Sequence, residues 1–559
     1  VLAAPPGYNA AVLTAIPSII RPVVAKTLVA LLVALCVGAC TASKSRVEQG
    51  AEQGILHFAN EAEPKGLDPH LITGLLEQRV LVSVLEGLVG LDHDLNVIPG
   101  VAHSWDVSDD RETYTFHLRP EAKWSDGSPL TAHDFVWSWR RILNPKLGAP
   151  YAYLLYVIEN AEPYHKGDIT DPEAIGVTAI DDHTLEVTLE SPTPYFLSLQ
   201  IHFTYLPVPR QAITAHGGPT DRTNPWTQPG NFLANGPFVL ERWAPNEVIA
   251  VRKNPHYWDA ENVQLNGIHF YPINDRNTEE RMFRVGDLHL TSNVPPTKLD
   301  HYRENRPDDL LIAPVYGTYF YRFNIESSPL QDKLVRKALA MSINRQVICD
   351  MILRGGQKPA DAFTPPDPNG YTPRASIPYD PERARELLAE AGYANGAEMP
   401  PVEILYNTDD VHREVAESIQ AMWKDELGVD ARLLNQEWKV YLRSMDQLDY
   451  SVARSSWFGD VLDPINFLEC FTTGNGNNRT GWSNEEFDGL IAAAREEPDA
   501  DDRAELLQQA EDILLDEAPI APVYTFVTTQ LRSAEVKGYK PNLLAHYSWK
   551  NIHLEPTGD

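Results

Sequence analysis

Few side chains in this chain have the type and spacing to do chemistry. Its four cysteines are Cys36, Cys40, Cys349 and Cys470. Cys40 follows the small residues Val37-Gly38-Ala39, which suits a peptidase cut and modification of the exposed thiol. Cys349 and Cys470 lie far apart, and their pairing stays open. Cys349 falls in the apolar stretch QVICDMIL, where a buried free thiol is the commoner outcome. Asp409, Asp410 and His412 have some look of metal ligands, but no further ligand stands at a fixed spacing. The chain lacks G-x-S-x-G, H-E-x-x-H, a Walker loop and C-x-x-C. Its many carboxylates single out no glycosidase pair, which leaves a secreted carboxylate-pair hydrolase a remote alternative. The chain reads as a non-enzyme without metal or cofactor.

The context of Cys40 predicts an exported protein. Thr27 to Ala39 carry no charge, and Arg21 and Lys26 precede them. A positive flank, a short apolar core and small residues before a cut make a secretory signal. Cys40 at the cut resembles the bacterial lipobox, which implies lipidation there; an ordinary signal peptide with an incidental cysteine is the alternative. The expected division is a signal peptide over 1–39 and a lipidated cysteine with polar linker over 40–54. The product is expected at a periplasmic or cell-surface face, held to the membrane by its lipid. A 14-residue linker would reach about 50 Å at full extension.

The elements that must position a site alternate between strand and helix. Tyr114, Phe116 and Leu118 have period two, as do Leu185, Val187 and Leu189. Residues 238–251 read as a hairpin turning at Ala244-Pro245-Asn246-Glu247. Thr131 to Asp134 form a capping box with Asp in place of Glu. Asp380-Pro381 opens a helix that Gly392 closes, and a long helix over 411–427 ends at Gly428. The class is α/β with mixed sheets. A net charge of −31 argues against nucleic acid as a partner. The chain is too long for one core, so two or three domains are expected.

Eight segments, in order, resemble the family-5 extracytoplasmic solute-binding proteins of ABC importers, nearest their oligopeptide-binding members. They are residues 66–70 (GLDPH), 118–145, 179–196, 235–259, 334–348, 405–416, 435–442 (NQEWKVYL) and 450–457 (YSVARSSW). The resemblance implies a type II periplasmic-binding-protein fold with two lobes, a hinge and an inserted domain. Lobe I would comprise 55–85, 210–316 and 528–559, the inserted domain II 86–209, and lobe II 317–527, with crossings near 316 and 527. A monomer would hand its ligand to an inner-membrane ABC permease and its ATPases.

The resemblance also implies a site. An extended peptide would pair its backbone with strand-like edges at Thr73-Gly74-Leu75 and Ser456-Trp457-Phe458. Asp460 would bind the α-amine. Arg454 and His412 would act as cations toward the C-terminal end. Trp438, Trp457, Tyr151, Phe320 and Phe526 would line side-chain pockets, for which core packing is the alternative, and Asn293 would add a polar contact. This chain departs from close relatives at Thr73 (Glu there), Met445 (Arg), Leu353 (Lys), and Phe320 and Phe526 (both Tyr). Gly317 and Phe458 stand at the relatives' disulfide positions. The amine end looks kept and the carboxylate end rebuilt, which leaves room for a modified peptide such as a murein fragment. An oligosaccharide or a metal chelate is a further alternative.

Overall fold

Three sheets carry the architecture in the computed structural model, which describes residues 44–556 apart from 93, 368 and 369. The expected signal segment and Cys40 lie outside the described residues. The first sheet has four strands: β1 (Ile55–Ala59), β6 (Phe238–Ala244), β7 (Val248–Lys253) and β8 (Gly267–Tyr271), in the order β1-β8-β7-β6. β1 and β8 run parallel and the other pairs antiparallel. The expected hairpin is the β6–β7 pair, with residues 245–247 between them.

Between β1 and β6 the chain builds a second, wholly antiparallel sheet. Its strands are β2 (Ala102–Val107), β3 (Thr113–Leu118), β4 (Val177–Asp181) and β5 (Thr184–Thr188), in the order β2-β3-β5-β4. β3 buries Tyr114, Phe116 and Leu118 on one face, as period two requires. Helix α3 (Ala132–Leu143) opens on the capping box, in which Thr131 N donates to the Asp134 carboxylate at 2.9 Å.

The third sheet has six strands: β9 (Leu310–Phe323), β10 (Lys358–Pro359), β11 (Val402–Asn407), β12 (Ala431–Gln436), β13 (Val452–Phe458) and β14 (Ile520–Leu531). Their order is β10-β14-β9-β13-β11-β12, with β11 parallel to both its neighbours. β9 and β14 are long antiparallel partners whose register shifts between Pro314 and Thr318. Pro314 has no N–H for the ladder, so pairing is interrupted there.

The helices follow their caps. In α5 (Pro381–Glu390) the Asp380 carboxylate accepts from Arg383 N at 2.9 Å, and Gly392 follows with φ +91°. α6 (Asp410–Leu427) ends at Gly428 with φ +71°, a conformation that glycine adopts without strain. Cys349 and Cys470 are buried and free. No helix among the described residues is long and apolar enough to cross a membrane.

One expectation is corrected here. Residues 46–53 are not extended linker but helix α1 (Arg46–Gln53). Val47, Gly50 and Ala51 are buried at helical spacing, and Val47 N donates to Gly286 O at 2.8 Å. Its polar composition hid a small apolar face. A helix rises about 1.5 Å per residue, so this stretch adds far less reach than an extended chain.

Candidate functional site

β13 is the backbone of the site. It pairs with β9 along its whole length, from Phe323↔Val452 to Gly317↔Phe458. On its other side β11 pairs only at Val452 and Ala453. Gly459 N donates to Tyr316 O at 2.7 Å, so alternation turns the amide groups of Trp457 and Ser455 toward β9. The N–H and C=O of Ser456 and Phe458 therefore face the opposite, open edge, which borders a large cleft. That cleft holds about 2030 Å³ including its mouth.

Across the cleft lie Thr73, Gly74 and Leu75. Gly74 is extended (φ −116°, ψ 148°), but Leu75 already opens helix α2 (Leu75–Val84). The expected strand-like edge is thus confined to the residues before the helix, because the helix's amides turn inward at Leu75. Trp438, first residue of α7 (Trp438–Asp446), lies beside Gly74. Glu77, also beside Gly74, accepts from Lys65 N at 2.8 Å, and burial lifts its carboxyl to about 7.

Asp460 follows the open edge. Its side chain is 12% exposed and faces His202 Nε2 at 3.3 Å. Asn466 Oδ1 accepts from Asp460 N at 2.8 Å, while Asn466 Nδ2 donates to the Asp460 carboxylate at 3.4 Å. No Lys or Arg pairs with this carboxyl among the described residues. Burial raises it to about 7, and the same cause lowers His202 to about 3. Tyr151 packs against His202 at 4.8 Å and lies 6.1 Å from Trp457, whose Nε1 has no hydrogen-bond partner among the described residues.

Farther along lie Arg454 and His412, both buried and both lining the cleft. The Arg454 guanidinium sits over the Tyr319 ring at 5.3 Å, and its Nε has no hydrogen-bond partner among the described residues. His412 is not the cation expected of it. Burial, then the nearby Arg454 charge, hold the ring neutral. The metal-like grouping also dissolves. Asp409 accepts from Arg276 Nε at 2.8 Å and from His412 N at 3.0 Å, and no metal-binding group occurs among the described residues. Arg276 opens helix α4 (Arg276–Arg284); burial opposes the Asp409 charge, but Arg276 and His412 together, by charge and hydrogen bonds, hold the carboxyl well below the usual carboxylate range.

Phe526 lines the cleft and packs against Phe458 at 4.5 Å. Asn293 lines it too, its N–H donating to Glu279 at 3.1 Å. Phe320 does not. Its ring is fully buried against Phe363 at 5.0 Å and Phe471 at 6.3 Å, so core packing is its role. Met445 lines the cleft, whereas Arg354 and Arg443 point to solvent and supply no charge to it. Gly317 and Phe458 are direct cross-strand partners without a bridge. Sequence reasoning missed His202, Arg276, Arg322 and Arg479, all on the cleft wall. No local motif marks them; only the tertiary fold gathers them.

The chain belongs to the bacterial extracellular solute-binding proteins of family 5, whose model matches residues 96–479. It is 39% identical over 495 residues to the dipeptide-binding protein DppE of Bacillus subtilis, covering 87% of this chain and 89% of that one. Its structure resembles that of Haemophilus influenzae OppA in complex with RPPGFSPFR, with a TM-score of 0.85 and 35% identity, covering 90% of this chain and 99% of that one. It equally resembles the Escherichia coli murein tripeptide binding protein MppA, with a TM-score of 0.85 and 35% identity over 89% of this chain and 98% of that one. Against the unliganded open form of MppA, at the same identity and over 90% of this chain and 98% of that one, the score is 0.61. The two forms are one protein, so the difference is one of arrangement. The present structure departs from the open one. The fold is that of the type II periplasmic binding proteins.

Proposed function

We propose that this protein is an extracytoplasmic receptor that binds extended oligopeptides between two lobes and delivers them to an ABC peptide permease. The observation that carries this reading is Asp460: a buried carboxyl with no Lys or Arg partner among the described residues, next to an open strand edge. A peptide's ammonium supplies the missing charge, and its backbone pairs with Ser456 and Phe458. Backbone pairing reads no side chain, so many sequences fit. Trp457, Tyr151, Trp438, Phe526 and Asn293 bound its side chains, and Arg454 faces its far end with His412 as a neutral hydrogen-bonding group.

In this reading residues 55–85, 210–316 and 528–559 form one lobe, 317–527 the other, and 86–209 an inserted domain. The interrupted pairing of β9 with β14 near Pro314 supports a hinge there. Cys40 carries the lipid that tethers the monomer to its membrane, and residues 1–39 are the removed signal.

A modified peptide such as a murein fragment is the second reading. It is favoured by Met445, an apolar residue on the cleft wall where close relatives carry Arg, and by the likeness to MppA. Calorimetry tests the main reading. Free-amine peptides of two to six residues should bind, and their N-acetylated forms should bind far more weakly. Absence of binding by any of them would contradict it.

A further inference from the structure

Two arginines on the cleft wall have donors that the protein leaves unused. Arg322 is 3% exposed. Its Nε donates to Ser455 Oγ at 3.0 Å and its Nη1 to Asn477 O at 2.8 Å, both neutral acceptors. Its Nη2 meets no protein acceptor among the described residues, and no carboxylate pairs with it. The rings of Phe320 and Phe471 lie 5.1 and 5.5 Å from the guanidinium and fix its plane. Arg479 has one carboxylate, Asp446, at 2.9 Å, and that side chain is 44% exposed. Arg479 Nε is buried without a hydrogen-bond partner among the described residues. The two guanidinium groups repel each other, which adds to the burial that already disfavours the Arg322 charge. Around them are the neutral side chains of Tyr151, Trp457 and Asn477.

A buried guanidinium without an anion is costly, and its planar fork matches a carboxylate. We propose that Arg322 and Arg479 form a carboxylate subsite of the cleft, which selects ligands carrying a carboxylate on that side. The proposal rests on the peptide reading and narrows its substrate class. The carboxylate comes either from an acidic residue, including a glutamate linked through its side chain, or from the C-terminus of a short ligand. It is distinct from the Asp460 corner, which calls for a cation.

Calorimetry with a tripeptide set resolves the matter. Alanine tripeptides carry Glu, Gln or Lys at each position in turn, each made as C-terminal acid and amide. At one position Glu should bind at least about tenfold more tightly than Gln, as a charge-assisted fork requires, or else the acid should exceed the amide by that factor. The first result identifies a side chain as the source and the second the terminus. Arg322→Lys and Arg479→Gln should each erase that preference while keeping affinity for the neutral amide peptide and dependence on the free amine. Retained binding of that neutral peptide shows that each variant folds. Peptides that bind with no carboxylate preference, or a preference unchanged in both variants, would overturn the subsite alone. If no peptide in the set bound, the peptide reading would fall, and the subsite with it.

Discussion

His202 Nε2 and Asp460 Oδ1 lie 3.3 Å apart, yet they form no ion pair. Burial keeps the imidazole neutral, and the carboxyl titrates near 7. His202 Nδ1 accepts from Thr204 N at 3.4 Å, so its single proton sits on Nε2. That proton faces Asp460 outside hydrogen-bonding geometry. The corner therefore holds a buried carboxyl waiting for a cation, and several expectations derive from this.

Affinity for a free-amine peptide should fall as pH drops below about 7. The unliganded carboxyl must lose its proton before an ammonium pairs with it, so each pH unit below 7 weakens binding about tenfold. N-acetylated peptides should show a flat profile over the same range. Titration calorimetry from pH 5 to 8 checks both.

The same carboxyl burdens the unliganded fold. Its folded pKa of about 7 lies above the 3.8 of an ordinary aspartate. Its stabilising contribution is full below 3.8 and lost as pH rises through 7. Asp460→Asn should therefore melt higher than the parent at pH 8 without ligand, with the advantage shrinking toward pH 4. Scanning calorimetry of the two proteins side by side isolates this group from other buried carboxyls.

Arg276 and Asp409, each about 15% exposed at the side chain, form a nearly buried pair between α4 and the start of α6. Arg276→Met leaves an unpaired buried charge and should cost about 3 kcal/mol. Adding Asp409→Asn should recover much of that loss, because asparagine still caps α6 without a charge. Denaturant unfolding of the two single variants and the double variant measures the coupling.

Gly317 and Phe458 oppose each other at a position adjacent to the hydrogen-bonded pair Tyr316 and Gly459. Such non-hydrogen-bonded pairs have Cα atoms about 4.5 Å apart, within disulfide range. The double variant Gly317→Cys/Phe458→Cys should form an intrachain disulfide on oxidation. Thiol titration under denaturing conditions should then find two fewer thiols than after reduction.

Much of this was legible from local pattern. The β6–β7 hairpin follows from four turn residues, α3 and α5 from caps that satisfy their first amides, and α6 from the glycine that ends it. The open edge of β13 and the placement of Asp460 beside it required the family resemblance, since a lone aspartate carries no such information. Phe320 was misread because it shares a strand face with Arg322, which does reach the cleft, and only the tertiary fold packs Phe363 and Phe471 against its ring. Helix α1 was missed because its buried face consists of Val47, Gly50 and Ala51, too small to stand out among polar residues. His202 sits in an apolar stretch, and only the fold brings it to a carboxyl 258 positions later.

The most direct measurement is a crystal structure of the protein loaded with a free-amine tripeptide. The ammonium should lie within hydrogen-bonding distance of the Asp460 carboxylate, with the peptide backbone paired to Ser456 and Phe458. A ligand whose amine sits away from Asp460, or whose backbone leaves that strand edge unpaired, would contradict the account.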